Sequence, residues 1–167
     1  MTYEFFLIFL KNKSRFNVLA WLIRLAQKTD YNHVEIVCRP KPPKLGAGMS
    51  YGAVHPQSRK LSYPLLFQKY EMVDIRPIDI VVDQYKAIEI LNGLLGKPYS
   101  FLQLIVILFK VAFHALARPA SKVRLNLDKY LICTELAGIF LRDAAGADFP
   151  SVEALTLKDL QKDWIKT

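Results

Sequence analysis

The sequence predicts an α+β fold: a small antiparallel sheet packed against helices. Three observations carry this. The first half holds short β-branched and aromatic runs separated by polar or Pro/Gly-rich turns. The second half holds longer apolar segments at helical spacing, each closed by Gly or Pro. No linker is long enough to divide the chain, so residues 1–167 read as one domain.

The elements follow in order. Residues 3–10 (YEFFLIFL) form a buried strand bounded by KNKS. Residues 16–27 carry apolar side chains at helical spacing, with Arg24 and Lys28 at the C-terminal end, where the helix dipole favours cations. Residues 32–39 make a second strand. PKPPKLGAG then excludes both helix and central strand, and residues 49–55 return antiparallel to the second strand. Residues 69–75 give a fourth short strand, ended by Arg76-Pro77. Residues 82–95 are an amphipathic helix stopped by Gly96 and Pro98. A very apolar helix is expected over 101–117, and another over 130–145, closed by Gly146. The last helix starts at Thr156, with Asp159 in the capping-box position.

Composition narrows the function. An apolar fraction of 52% excludes disorder, and two cysteines exclude a disulfide scaffold or a Cys-only zinc site. Three histidines do not cluster with other ligands, so no metal or other cofactor is implied. The net charge of +8 is scattered rather than concentrated in one helix, which argues against specific nucleic-acid recognition. It favours encounter with anionic polymers or an anionic membrane surface. The opening MTYEFFLIFLKNKS lacks a basic start and a cleavage site, so it reads as a strand and not as a signal peptide. Gln103, Lys110 and His114 interrupt the apolar run at 101–117, which is too short to span a bilayer. A cytoplasmic location is the default expectation.

Two residues could do chemistry together. His33 lies on the second strand and Cys133 near the start of a helix. A helix N-terminus favours thiolate, a neighbouring imidazole can take the thiol proton and return it to a leaving group, and free N–H groups can hold an oxyanion. Other candidates have duller readings. Cys38 reads as a small buried hydrophobe, and His114 as a core or surface residue. Glu135 reads as an acidic residue stabilising a helix start, and Tyr31 and Tyr99 as packing or cleft-lining aromatics.

The surroundings of these residues resemble the circularly permuted NlpC-type, papain-like cysteine hydrolases. FFLIFLKNKSRFNVLAWLIRLAQKTDYNHVEIV resembles that family's opening strand, amphipathic helix and His-Val strand. LLGKPYSFLQL resembles its Gly-Lys-Pro-Tyr segment, YLICTELAGIFLRDAAG its Cys-Ser/Thr-Glu-Leu helix, and ALTLKDLQK its closing element. The four pieces cover almost the whole chain in the family's order, with the His strand before the Cys helix. Lecithin retinol acyltransferase-like proteins share this order.

The resemblance implies a papain-like fold in permuted order and a cysteine peptidase or amidase acting on small peptides such as cell-wall peptides. Cys133 would be its nucleophile and His33 its base and acid. Lipid-directed acyl transfer or deacylation at a membrane surface is the alternative within the fold. A catalytically inactive binding module that keeps the same fold and cleft is the alternative from a different functional class. The family places a Glu before the Ala-Val of the third strand, but this chain has Gly52 there. It has Glu35 where the family has the Gly of His-Val-Gly. Residues 33 and 35 share a strand face. If Cys38 faces Met49, Glu35 faces Gly52, and the carboxylate has moved to the neighbouring strand to orient the imidazole. His55 is the alternative orienter, since the acyltransferase relatives use a His on this strand.

Overall fold

Two nearly continuous apolar runs build the centre of the sheet, and the strand order decides which groups meet. The computed structural model of the chain describes residues 2–14, 18–41, 47–100, 105, 131–149, 152 and 155–161. The strands are β1 (Thr2–Asn12), β2 (His33–Lys41), β3 (Met49–Ala53), β4 (Ser58–Ser62) and β5 (Tyr70–Ile78). They form one antiparallel sheet in the order β4-β3-β2-β1-β5. The helices are α1 (Val18–Gln27), α2 (Tyr63–Lys69), α3 (Gln84–Gly93), α4 (Cys133–Ala145) and α5 (Leu157–Gln161).

Both sheet faces are covered, which is why β1 and β2 read as nearly continuous apolar runs. On one face Phe5, Leu7, Phe9, Val34, Ile36, Tyr51 and Ala53 join Ala87 and Leu91 of α3 and Leu136, Phe140 and Leu141 of α4 in the main core. On the other, Ile8, Leu10 and Val37 pack with Leu66 of α2. Helix α4 lies against β2, β3 and α3. It ends at Gly146, whose φ of 69° is the left-handed cap that Gly accepts without strain. At the last helix, Thr156 N–H and Oγ1 both donate to Asp159 Oδ2 (3.1 and 2.7 Å), and Asp159 N–H returns to Thr156 Oγ1. This is the expected capping box.

Several expectations need correction. Strand β2 runs on through Pro40 to Lys41, and β5 continues through Arg76-Pro77 to Ile78. Proline is tolerated in both because, among the described residues, neither segment is flanked by strands on both sides. Pairing of β2 with β3 ends at Cys38–Met49, and β5 is an edge strand. Strand β3 ends at Ala53, short of residue 55. Strand β4 and helix α2 were not expected: SRKLS has no apolar alternation, and α2 has seven residues with Pro64 in its first turn. Helix α3 starts at Gln84 because the Asp83 carboxylate caps it, accepting from Tyr85 N–H at 2.8 Å. Helix α4 begins at Cys133, not at residue 130. Leu131 is held extended by bonding to both Pro98 and Ser100 beside Tyr99. The expected helix over 101–117, with His114, lies outside the described residues except for Ile105, which is helical and exposed.

Candidate active site

Register builds the site. Cys38 pairs with Met49 and Ile36 with Tyr51, so Glu35 falls beside Gly52. His33, the first residue of β2, is two residues from Glu35 and on the same face. Its Nε2 lies 2.8 Å from Glu35 Oε1. The second carboxylate oxygen accepts the hydroxyl of Ser50. The Arg59 guanidinium, on the strand beyond Gly52, stands 3.7 Å from Oε1. Glu35 is 1% exposed, and a buried carboxylate requires such partners.

Gly52 makes the arrangement possible. A Cβ at residue 52 would overlap Cδ, Cγ and Oε1 of Glu35. The glycine is needed for close approach of a neighbouring side chain.

The thiol arrives from α4. The extended segment ending at Ile132 makes Cys133 the first helical residue, where backbone N–H groups have no intrahelical partner. The Cys133 thiol stands close enough to the His33 ring to raise its pKa. The ring also stacks on Tyr70, with centroids 5.2 Å apart. Burial alone would pull the His33 pKa down, but the interactions with Cys133 and Glu35 outweigh it and hold the ring well above its ordinary value. Burial likewise pushes Glu35 up, yet its bond to His33, with Ser50 and Arg59, leaves it below the usual carboxylate value.

Tyr99 completes the group. Burial first, and then the nearby Cys133 and Tyr70, raise its phenol pKa, so it stays a hydrogen-bond donor beside the thiol. Tyr31, the other aromatic candidate, is elsewhere: its ring packs on Phe9 and its hydroxyl donates to Gln161. His55 is exposed in the turn beyond β3. Cys38 is buried, and burial pushes its thiol up to about 11. Glu135 lies buried in the first turn of α4.

Sequence reasoning missed Ser50, Arg59 and Tyr70. Ser50 carried a signal, since it shares the face of Gly52 on the same strand. Arg59 carried none, because its position follows from the unexpected β4; Tyr70 lies on the expected fourth strand, but nothing local sets it against the His33 ring.

A thiol at a helix start, a basic imidazole and a buried carboxylate in sequence can form and break acyl bonds. Comparison with protein-family models and with curated proteins gives no match to this chain.

Proposed function

We propose that the protein is a thiol hydrolase of papain-like, permuted architecture, acting as a peptidase or amidase on small peptides. The observation that carries this is the chain of contacts Cys133–His33–Glu35, in which each group touches the next. His33 takes the thiol proton. With Nε2 held by Glu35, Nδ1 is the ring nitrogen left for that transfer. The sulfur attacks the carbonyl carbon, and the backbone N–H groups opening α4 receive the developing oxyanion. The protonated ring then gives its proton to the leaving amine, and a thioester remains on Cys133. Water, deprotonated by His33, releases the acid and restores the thiol.

An inactive module was favoured only by the carboxylate missing at residue 52. Glu35 occupies that volume and bonds the ring, so the site does not lack a carboxylate.

The test uses small acyl amides and activated esters with intact-mass detection. A thioester adduct on Cys133 and turnover are expected, both abolished in Cys133→Ala. That variant should keep its fold, because Ala suits a helix start and the change is worth under about 1.5 kcal/mol. Turnover of the Cys133→Ala variant near the wild-type rate would refute the nucleophile.

A further inference from the structure

Helix α1 buries one stripe and exposes another of unusual composition. Ala20, Ile23 and Gln27 face inward, and Gln27 is anchored by accepting from Leu157 N–H at 2.8 Å. The outer stripe, at spacings of three and four, is Trp21, Arg24, Leu25 and Lys28, with Leu22 at its side. Trp21 is 53% exposed and Leu25 60%. The solvent face of a soluble helix is normally polar.

Beside this stripe is a cavity of about 350 Å³ lined by Arg24, Lys28 and Thr29, with Asp30 as its one carboxylate among the described residues. Arg24 Nε is buried there and has no hydrogen-bond partner among the described residues. Apolar and cationic groups therefore alternate along one exposed line, with a donor-rich hollow next to it.

We propose that α1 is a docking surface for an anionic phospholipid bilayer. Trp21, Leu22 and Leu25 enter the headgroup–acyl boundary, where an indole ring is favoured. A lipid phosphate enters the cavity and accepts from Arg24 and Lys28. Charge complementarity selects this occupant: the chain carries +8, and the cations sit on the apolar stripe itself. Docking needs no thiol chemistry, so it stands whether or not Cys133 is a nucleophile.

The experiment is co-flotation with vesicles of phosphatidylcholine alone or with 30% phosphatidylserine, using the full chain. The expected result is binding to the anionic vesicles, unchanged in Cys133→Ala and several-fold weaker when salt is raised from 0.1 to 0.5 M, a test concentration range chosen to shorten the screening length to roughly 4 Å. Trp21→Ser with Leu25→Ser should reduce binding at least tenfold, and Lys28→Gln several-fold. All three residues are solvent-facing, so thermal midpoints should stay within a few degrees of wild type. Equal binding to neutral vesicles would overturn the proposal, as would flotation that the Trp21/Leu25 variant leaves unchanged. Complete release by millimolar glycerol phosphate would also overturn it, by showing a site for free phosphate and no bilayer contact.

Discussion

Glu35 lies over the α-carbon of Gly52, in the volume that any side chain at residue 52 would need. From there it reaches the His33 ring at 2.8 Å and the Ser50 hydroxyl. One strand supplies both the imidazole and its carboxylate, and the neighbouring strand supplies the space. Asp at residue 35 would be a methylene too short for this bridge.

Removing the carboxylate charge should cost rate and stability together. Glu35→Gln keeps the shape but loses the charge that stabilises the imidazolium. We expect turnover to fall at least tenfold. Unfolding free energy should fall by about 1–3 kcal/mol, since a charged hydrogen bond is replaced inside the protein. Steady-state rates and urea titration check the two effects.

The exchange between residues 35 and 52 can be read as a coupling. Gly52→Ala in the native background pushes a Cβ into Glu35 and should destabilise by about 1–3 kcal/mol. In a Glu35→Gly background the same change meets empty space, so its cost should shrink by more than about 1 kcal/mol. Glu35→Gly with Gly52→Glu returns a carboxylate to this face from the other strand. It should recover part of the activity lost in Glu35→Gly alone. Gly52→Glu added to Glu35→Gln would not, because the glutamine side chain still fills the space.

Stability should depend on pH through the same pair. The folded His33 pKa is raised, so its contribution is complete below the unfolded value of 6.5 and is lost as pH rises through the folded one. The folded Glu35 pKa is lowered, so its contribution is present above 4.5 and is lost as pH falls through the folded value. The two together favour the window between 4.5 and 6.5. The urea midpoint should decline from pH 6 to pH 9 in the native protein, and His33→Gln should flatten that decline.

A further test concerns the seating of α4, which sets the thiol. A Cβ at Gly138 would run into Leu155 Cδ1 and Val152 Cγ1, both buried. Gly138→Ala should destabilise by about 1–3 kcal/mol despite the better helix propensity of Ala. Shortening Leu155 to Ala in the same chain should absorb part of the clash. Thermal unfolding of the single and double variants measures it.

Strands β1 and β2, with His33 on the latter, were readable because each is a nearly continuous apolar run bounded by polar residues. The Glu35–Gly52 juxtaposition was readable from one assumed pair, Cys38–Met49, because register then carries every later residue. Strand β4 and helix α2 were not readable. Their pairing and packing come from neighbours distant in sequence, and neither has a pattern of its own. Arg59 was lost with β4, and Tyr70, though on the expected strand over 69–75, meets His33 only through the sheet order. The two prolines misled because their cost depends on whether a second strand lies alongside, a property of topology that local sequence does not hold. The start of α4 was misplaced for the same reason: Leu131 is kept extended by residues 98–100.

The central claim is that Cys133, His33 and Glu35 work as one unit, and the rate of Cys133 alkylation against pH tests it most directly. Both thiols are buried, but burial pushes Cys38 up to about 11, so iodoacetamide near neutral pH reads chiefly Cys133, with the labelled site assigned by mass. Native protein should alkylate at pH 6 at least tenfold faster than the His33→Gln variant, with Glu35→Gln between the two and Cys133→Ala unlabelled. Equal rates for the native and His33→Gln proteins across pH 5–9 would contradict the claim.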